Sequence, residues 1–221
     1  MSILKKIVHI PYSTKQYVRK AYTENQIVLH HTVSGGSAEA VARYWKTLSN
    51  KVGTFMIIDK EGIPHQLFGS QYYAGHVGGT KEECDIFRLP HRNCSKHSIG
   101  IELVNWGWLI KKEDGIYNSY GKEVDTDVTH YENGYRGYNY YDSYTDEQIA
   151  TLKELLTYLG EKYNIPLTYD HKIFDLHKEA LAGKPGVFMH ASFRLPKDKT
   201  DLHPQPELIR MLRSLDIVKT I

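Results

Sequence analysis

Three separated stretches of this sequence combine residue types suited to metal-assisted hydrolysis, in a chain carrying twelve histidines and seventeen tyrosines among 221 residues. Histidine is the commonest side-chain metal ligand, so the question is which of them converge. The first stretch is Gln26–His31 (QIVLHH), an apolar run that ends in two histidines before the turn signal Thr32-Val-Ser-Gly-Gly. Side chains alternate along a strand. Val28 and His30 therefore face one way and Ile27, Leu29 and His31 the other, so only one of the two histidines can look into a given site. The second stretch is Ser98–Val104 (SIGIELV). Here Glu102 shares a face with Gly100 and Ser98, while Ile99, Ile101 and Leu103 pack opposite. A carboxylate flanked by small residues suggests a floor with room above it; the plainer alternative is a strand-edge glutamate paired with a surface lysine. The third stretch runs from Met189-His190 to Lys199-Thr-Asp201, a strand-end histidine and a loop that returns a Lys-x-Asp to its neighbourhood. A catalytic zinc takes three protein ligands from His, Asp, Glu or Cys and leaves a fourth position for water. Two strand-end histidines and a loop aspartate satisfy that count, although each residue alone has an ordinary structural explanation.

The elements that must position these residues are legible from periodicity. Ser37 caps a helix over Ala38–Leu48 whose apolar face is Val41, Tyr44, Trp45 and Leu48. Thr54–Asp59 and Ile63–Phe68 flank Lys60-Glu-Gly62 as a β-hairpin. Asn105–His130 reads as an excursion of short strands and turns, and the tyrosine- and glycine-rich Tyr131–Tyr144 as an ordered loop. Thr145-x-x-Gln148 is a capping box that opens a helix with Ile149, Leu152, Leu156, Leu159 and Tyr163 on one stripe. Val187–His190 is a late strand, and Pro206–Leu215 a closing amphipathic helix. Strands alternating with helices, interrupted by one hairpin, predict an α/β fold: a single domain with a central mixed β-sheet flanked by helices, spanning 1–221 with an insertion around 105–144.

Composition removes several function classes. Hydrophobic residues at 41% and charged residues at 24% describe an ordinary globular chain. A net charge of +2, with charges mixed along the chain, argues against a nucleic-acid partner. The longest apolar stretches are strand-sized, so no membrane insertion is expected. Met1-Ser-Ile-Leu-Lys-Lys lacks the apolar core of a secretory signal, so the protein is expected to be made in the cytoplasm and to need separate delivery to any outside substrate. Cys84 and Cys94 are expected as two reduced thiols rather than a bridge. His9, His65, His91, His97, His130, His171 and His177 are expected at the surface or in turns.

Taken in order, Ile27-Val-Leu-His30-His31-Thr, Phe55-Met-Ile-Ile-Asp-Lys-Glu-Gly62, Ala74-Gly-His76, Ser98-Ile-Gly-Ile-Glu102-Leu and His190…Lys199-Thr-Asp201 give the chain a specific likeness. From about Gln26 to the closing helix it resembles the zinc-dependent N-acetylmuramoyl-L-alanine amidases, a class that includes phage lysins, bacterial recycling amidases and animal peptidoglycan-recognition proteins. The resemblance implies one Zn2+ ion held by His30, His190 and Asp201, with Glu102 as general base and Lys199 steadying the transition state. His76 and Trp106 are implied as substrate-cleft residues, with Trp108 and the tyrosines of 131–144 as further candidates for a saccharide or stem-peptide groove. Some members carry a catalytic tyrosine where this chain has Thr54, and His or Tyr where it has Phe55, which shifts weight to Glu102. The His190–Lys199 spacing is slightly longer than in the recycling enzymes, which leaves His203 as an alternative third ligand. The partner implied is peptidoglycan, glycan strand and stem peptide, met by a monomeric enzyme at the cell wall after holin-type release or external delivery. The long insertion favours a phage or phage-derived lysin. The alternatives are a cytoplasmic muropeptide-recycling amidase and a peptidoglycan-binding module without catalysis.

Overall fold

The computed structural model describes residues 6–196 and 199–216; the N-terminal Met1-Ser-Ile-Leu-Lys, on which the expectation about a secretory signal fell, lies outside the described residues. Six strands form the central sheet: β1 (Val8–His9), β2 (Gln26–His31), β3 (Met56–Ile58), β4 (Pro64–Gln66), β5 (Ser98–Leu103) and β10 (Gly186–Met189), in the order β1-β4-β3-β5-β2-β10. β10, β2, β5 and β3 run parallel, and β4 is antiparallel to β3 through the expected hairpin. The sheet is therefore mixed. β2 and β5 are buried along their whole length, which is why both read as nearly unbroken apolar runs. Their register pairs His30 with Glu102, while Leu29 pairs with Met189 on the other side. The residues singled out for chemistry thus end neighbouring strands.

Helices flank this sheet. The first, α1 (Ala38–Thr47), begins at Ser37, whose side chain accepts the Ala40 N–H. It buries Ala38, Val41, Ala42 and Trp45. Tyr44, expected on that face, is 63% exposed: the two alanines complete the buried stripe and leave Tyr44 beyond its edge. The short α2 (Lys81–Ile86) and α4 (Lys178–Ala182) connect strands. α3 (Asp146–Tyr163) carries the full capping box between Thr145 and Gln148 and buries Ile149, Leu152, Leu155, Leu156 and Leu159. It ends at Asn164 in the left-handed region, and packs against α5 (Pro206–Asp216).

The insertion is a second sheet, which corrects the expectation of a loop over Tyr131–Tyr144. Strands β6 (Trp108–Lys112), β7 (Gly115–Asn118), β8 (Val128–Tyr135) and β9 (Tyr138–Asp142) pair antiparallel in the order β7-β6-β9-β8. Tyrosine favours strands. The glycines that suggested a loop mark a bulge and a turn instead: the β8–β9 register shifts between His130 and Tyr135, and Gly134 and Gly137 have φ of 69° and 92°. Two of the histidines expected at the surface or in turns are buried. His65 lies 2.8 Å from the Asp59 carboxylate, and His177 3.2 Å from that of Asp170; buried imidazoles need such partners. Cys84 and Cys94 are both free and buried, as expected.

Gln148 joins helix and sheet. Its buried amide donates to the carbonyls of Val104 at 2.9 Å and Ile58 at 3.3 Å, while its oxygen accepts the Thr145 N–H at 3.1 Å. Gln148→Ala would leave buried carbonyls unpaired and remove half of the capping box. It is expected to lower stability by about 2–4 kcal/mol, measured as a reduced denaturant midpoint with an unchanged slope.

Candidate metal centre and its cleft

Asp201 lies on the segment that returns after β10, and it meets both strand-end histidines. His30 Nδ1 is 2.9 Å from His190 Nδ1. Asp201 Oδ2 is 3.0 Å from His190 Nδ1 and 3.3 Å from His30 Nδ1. All three side chains are buried. The strand register explains the histidine pair: Met189 lies beside Leu29, so the next residue on each chain, His190 and His30, emerges at the same height. The Ala191 N–H donates to the Asp201 carbonyl at 2.7 Å and brings the loop residue in.

The outer hydrogen bonds of the two rings assign their protons. His190 Nε2 lies 3.0 Å from the Val77 carbonyl oxygen. A carbonyl can only accept, so Nε2 carries the hydrogen and a neutral ring leaves Nδ1 bare. The Ser98 hydroxyl donates to the Cys94 carbonyl at 2.7 Å and so accepts from His76 Nε2 at 3.2 Å. His76 Nδ1 is then the acceptor for His30 Nε2–H at 2.9 Å. Burial foremost, and then the facing His190, lower the His30 pKa to about 4; burial and its imidazole neighbours hold His76 well below the usual range. His30 and His190 therefore both turn Nδ1 toward the Asp201 carboxylate oxygen. Three lone pairs meeting this closely repel one another unless a shared proton or a metal cation lies among them. The separations approach the edge of about 3.3 Å expected for a tetrahedron with bonds of ~2.0–2.1 Å, and the nitrogen–oxygen donor set suits zinc. Among the described residues, this is the group of His, Cys, Asp and Glu side chains whose ligand atoms converge.

Glu102 stands beside His30 on β5. Its strand is interior, between β2 and β3, so the strand-edge alternative does not apply. Its Oε2 is buried without a hydrogen-bond partner. Burial, reinforced by the Asp201 charge, pushes its pKa well above the usual carboxylate range, and the Lys199 ammonium pulls it back in part. The space over Gly100 is filled rather than open: a Cβ there would stand 3.0 Å from the His76 ring and 2.8 Å from Thr54 Cγ2, so the glycine lets both side chains close on β5.

These groups open into one cleft of about 880 Å³, lined by His30, His76, Glu102, His190, Lys199 and Asp201 together with its walls. Thr54 also lines it, whereas Phe55 is in the core. The aromatic candidates divide between the cleft and the packing beside it. Trp106 covers Gly35, where a Cβ would come within 2.3 Å of the indole, and is not among the lining residues. Trp108 and Tyr138, also among the candidates, do line the cleft, stacked on each other at 4.1 Å. His203 lies outside the ligand group, in a nest of Tyr131, Tyr141 and Tyr144, with Nε2 3.0 Å from the Asp142 carbonyl. His31 faces away from the cluster, as alternation requires, and its Nδ1 meets the Tyr144 hydroxyl at 3.1 Å. Arg136, which lines the same cleft, had no sequence signal.

Residues 21–204 match the family described as N-acetylmuramoyl-L-alanine amidase. Among solved structures, the catalytic domain of PlyG superposes with a TM-score of 0.54 at 14% identity, covering 97% of this chain and 98% of that one. The catalytic domain of XlyA gives 0.52 at 16%, covering 95% and 98%. The endolysine N-acetylmuramoyl-L-alanine amidase LysCS from Clostridium intestinale URNW gives 0.50 at 16%, covering 93% of each. At these identities the likeness is one of fold. No curated protein matches the sequence.

The proton assignments can be read directly. Two-bond nitrogen–proton NMR of the metal-free protein at neutral pH is expected to show His30, His76 and His190 all as Nε2–H tautomers. An Nδ1–H signal from His190 would contradict the network.

Proposed function

The chain belongs to the N-acetylmuramoyl-L-alanine amidase family, and we propose that it hydrolyses the amide between N-acetylmuramic acid and L-alanine of the peptidoglycan stem peptide, using one zinc ion held by His30, His190 and Asp201. The observation that carries this reading is the convergence of three candidate ligand atoms, within 3.3 Å of one another, beside an unpartnered carboxylate in a single cleft. Bound there, zinc would polarise the scissile carbonyl and bring the pKa of a water to about 7.

The chain's own groups account for the proton transfers. Glu102 Oε2 faces no competing donor, so it is free to take a proton from the attacking water and deliver it to the leaving amide nitrogen. Lys199 is exposed on the cleft wall and places an ammonium where negative charge develops on the carbonyl oxygen. His76, fixed by Ser98, holds His30 in the tautomer that presents Nδ1. Trp108 and Tyr138 offer flat apolar surface to a sugar ring or stem peptide. We read the chain as one catalytic domain, acting as a monomer, with residues 105–144 as its insertion. No helix among the described residues is long and apolar enough to cross a membrane. A lysin acting at the cell wall is favoured, because the inserted sheet adds a wall to the cleft, which suits a long glycan strand. The complete donor set, with Glu102 and Lys199 beside it, supports catalysis over binding alone.

Digestion of purified sacculi followed by mass spectrometry tests the activity. Free stem peptides beginning at L-Ala are expected, abolished by chelator and restored by zinc; cuts at another bond, or bound but uncut sacculi, would refute the reading. Small muropeptides cleaved in preference to sacculi would point to a recycling role. Glu102→Gln is expected to retain zinc and lose ~10²–10⁴-fold in turnover, whereas Asp201→Ala is expected to lose the metal. The base must be ionised and burial raises its pKa, so the rate is expected to climb with pH along a limb lying above the ordinary carboxylate range. That limb should be missing from the residual activity of Glu102→Gln.

A further inference from the structure

Arg136 occupies the tip of the β8–β9 hairpin in the left-handed region, with φ of 46°. A charged residue at a hairpin tip ordinarily points to solvent, yet this side chain is 2% exposed. Among the described residues its carboxylate partner is Asp175, 4.0 Å away and itself 76% exposed. The guanidinium hydrogens go to backbone carbonyls instead. Nη2 donates to Ala191 at 2.7 Å, Nη1 to Lys199 at 2.7 Å and to Arg194 at 3.1 Å, and Nε to Phe174 at 3.3 Å.

The identity of those carbonyls matters. Ala191 directly follows His190, and Lys199 stands just before Thr200 and Asp201. One planar group therefore fastens both segments that present the second and third candidate ligands. The remaining contacts of the inserted sheet reinforce it downstream of Asp201. The Tyr135 hydroxyl lies 2.8 Å from the Phe174 carbonyl and 3.2 Å from that of Leu202. The Tyr131 hydroxyl meets His203 Nδ1 at 2.8 Å.

We infer that the inserted sheet organises the metal centre, and that Arg136 is the positioning residue that sets His190 against Asp201. The inference rests on the zinc reading proposed above. Asp201 comes from no strand of the sheet, so its distance from His190 depends on how the returning segment is held. A fork of rigid N–H donors fixes several carbonyls at once, which a lysine ammonium on a flexible stem does less well. Groups that orient metal ligands typically contribute 10–100-fold in metal affinity.

The test uses the full chain with Arg136→Gln, Arg136→Lys and, as a destabilised control remote from the centre, Leu159→Ala. Zinc affinity is measured by competition with a chromophoric chelator, and ligand geometry by the visible spectrum of the cobalt-substituted protein. Arg136→Gln is expected to weaken zinc by ~10–100-fold and to alter the cobalt spectrum, with Arg136→Lys intermediate. Leu159→Ala is expected to lower thermal stability while leaving both metal readouts unchanged. Wild-type affinity and spectrum in folded Arg136→Gln, or in Arg136→Lys should the first variant fail to fold, would make Arg136 a structural latch and overturn the inference alone. Absence of zinc binding by the unaltered chain would overturn the metal reading, and this inference with it.

Discussion

The in-register parallel pairing of β10, β2 and β5 is the constraint on which the rest depends. Neighbouring strands lie about 4.8 Å apart, so side chains that leave adjacent strand ends on the same face are delivered within reach of one another. His190, His30 and Glu102 are such a row, fixed by the pairs Met189–Leu29 and His30–Glu102. A slip of one residue on β2 would turn His30 out of this row and bring His31 or Leu29 to its register position. The core prevents that slip, because Ile27 and Leu29, both fully buried, would move to the wrong face with it. The chemistry is therefore held in place by apolar packing several residues away.

A parallel sheet supplies only what its strand ends carry, and the third ligand must come from elsewhere. Asp201 arrives on a returning segment tied by the Ala191 N–H at its own carbonyl and by contacts from the insertion. The tyrosine-rich strands thus have a structural task that follows from the sheet's geometry: a loop aspartate lacks the neighbour-to-neighbour hydrogen bonds that fix a strand residue. Irregular backbone must find partners for its carbonyls when it is buried. Here those partners are Arg136 and Tyr135, both from the second sheet.

Legibility in the sequence followed the kind of partner each residue has. Alternation alone separated His30 from His31 and set Glu102 over Gly100 and Ser98, because a strand period of two is a property of residue order. The Thr145 capping box was equally local. The Tyr131–Tyr144 strands were hidden because glycines at a bulge and a turn look the same in sequence as glycines in a loop. Tyr44 was misplaced because Ala38 and Ala42, weakly hydrophobic, do more of the packing than their size suggests. Trp106 and Trp108 could not be told apart without the second sheet, since Trp108 lies on β6 and lines the cleft with Tyr138 stacked on it, whereas Trp106 precedes the strand and covers Gly35. Arg136 was invisible for a different reason: its partners are main-chain carbonyls, which every residue owns, so no pattern of residue types announces them.

The paired histidines at the end of β2 show how the two sides of one strand share the work. His30 turns into the cleft. His31 turns to the far side, where the Tyr144 hydroxyl meets its Nδ1 and also accepts the His203 N–H at 3.1 Å. Gln205 closes the same junction through two bonds to the Tyr144 backbone, at 2.7 and 3.0 Å. Burial lowers the His31 pKa to about 4 and holds His203 well below the usual imidazole range. The nest behind the cleft is accordingly aromatic and neutral. That matters for the face in front of it, because an imidazolium behind β2 would repel any cation among His30, His190 and Asp201, and the low dielectric between them would screen it poorly. Neutral hydrogen bonds fasten the residues after Asp201 without adding such a charge, and the positive residues that line the cleft, Lys51, Arg136, Arg194 and Lys199, come from other segments than this nest.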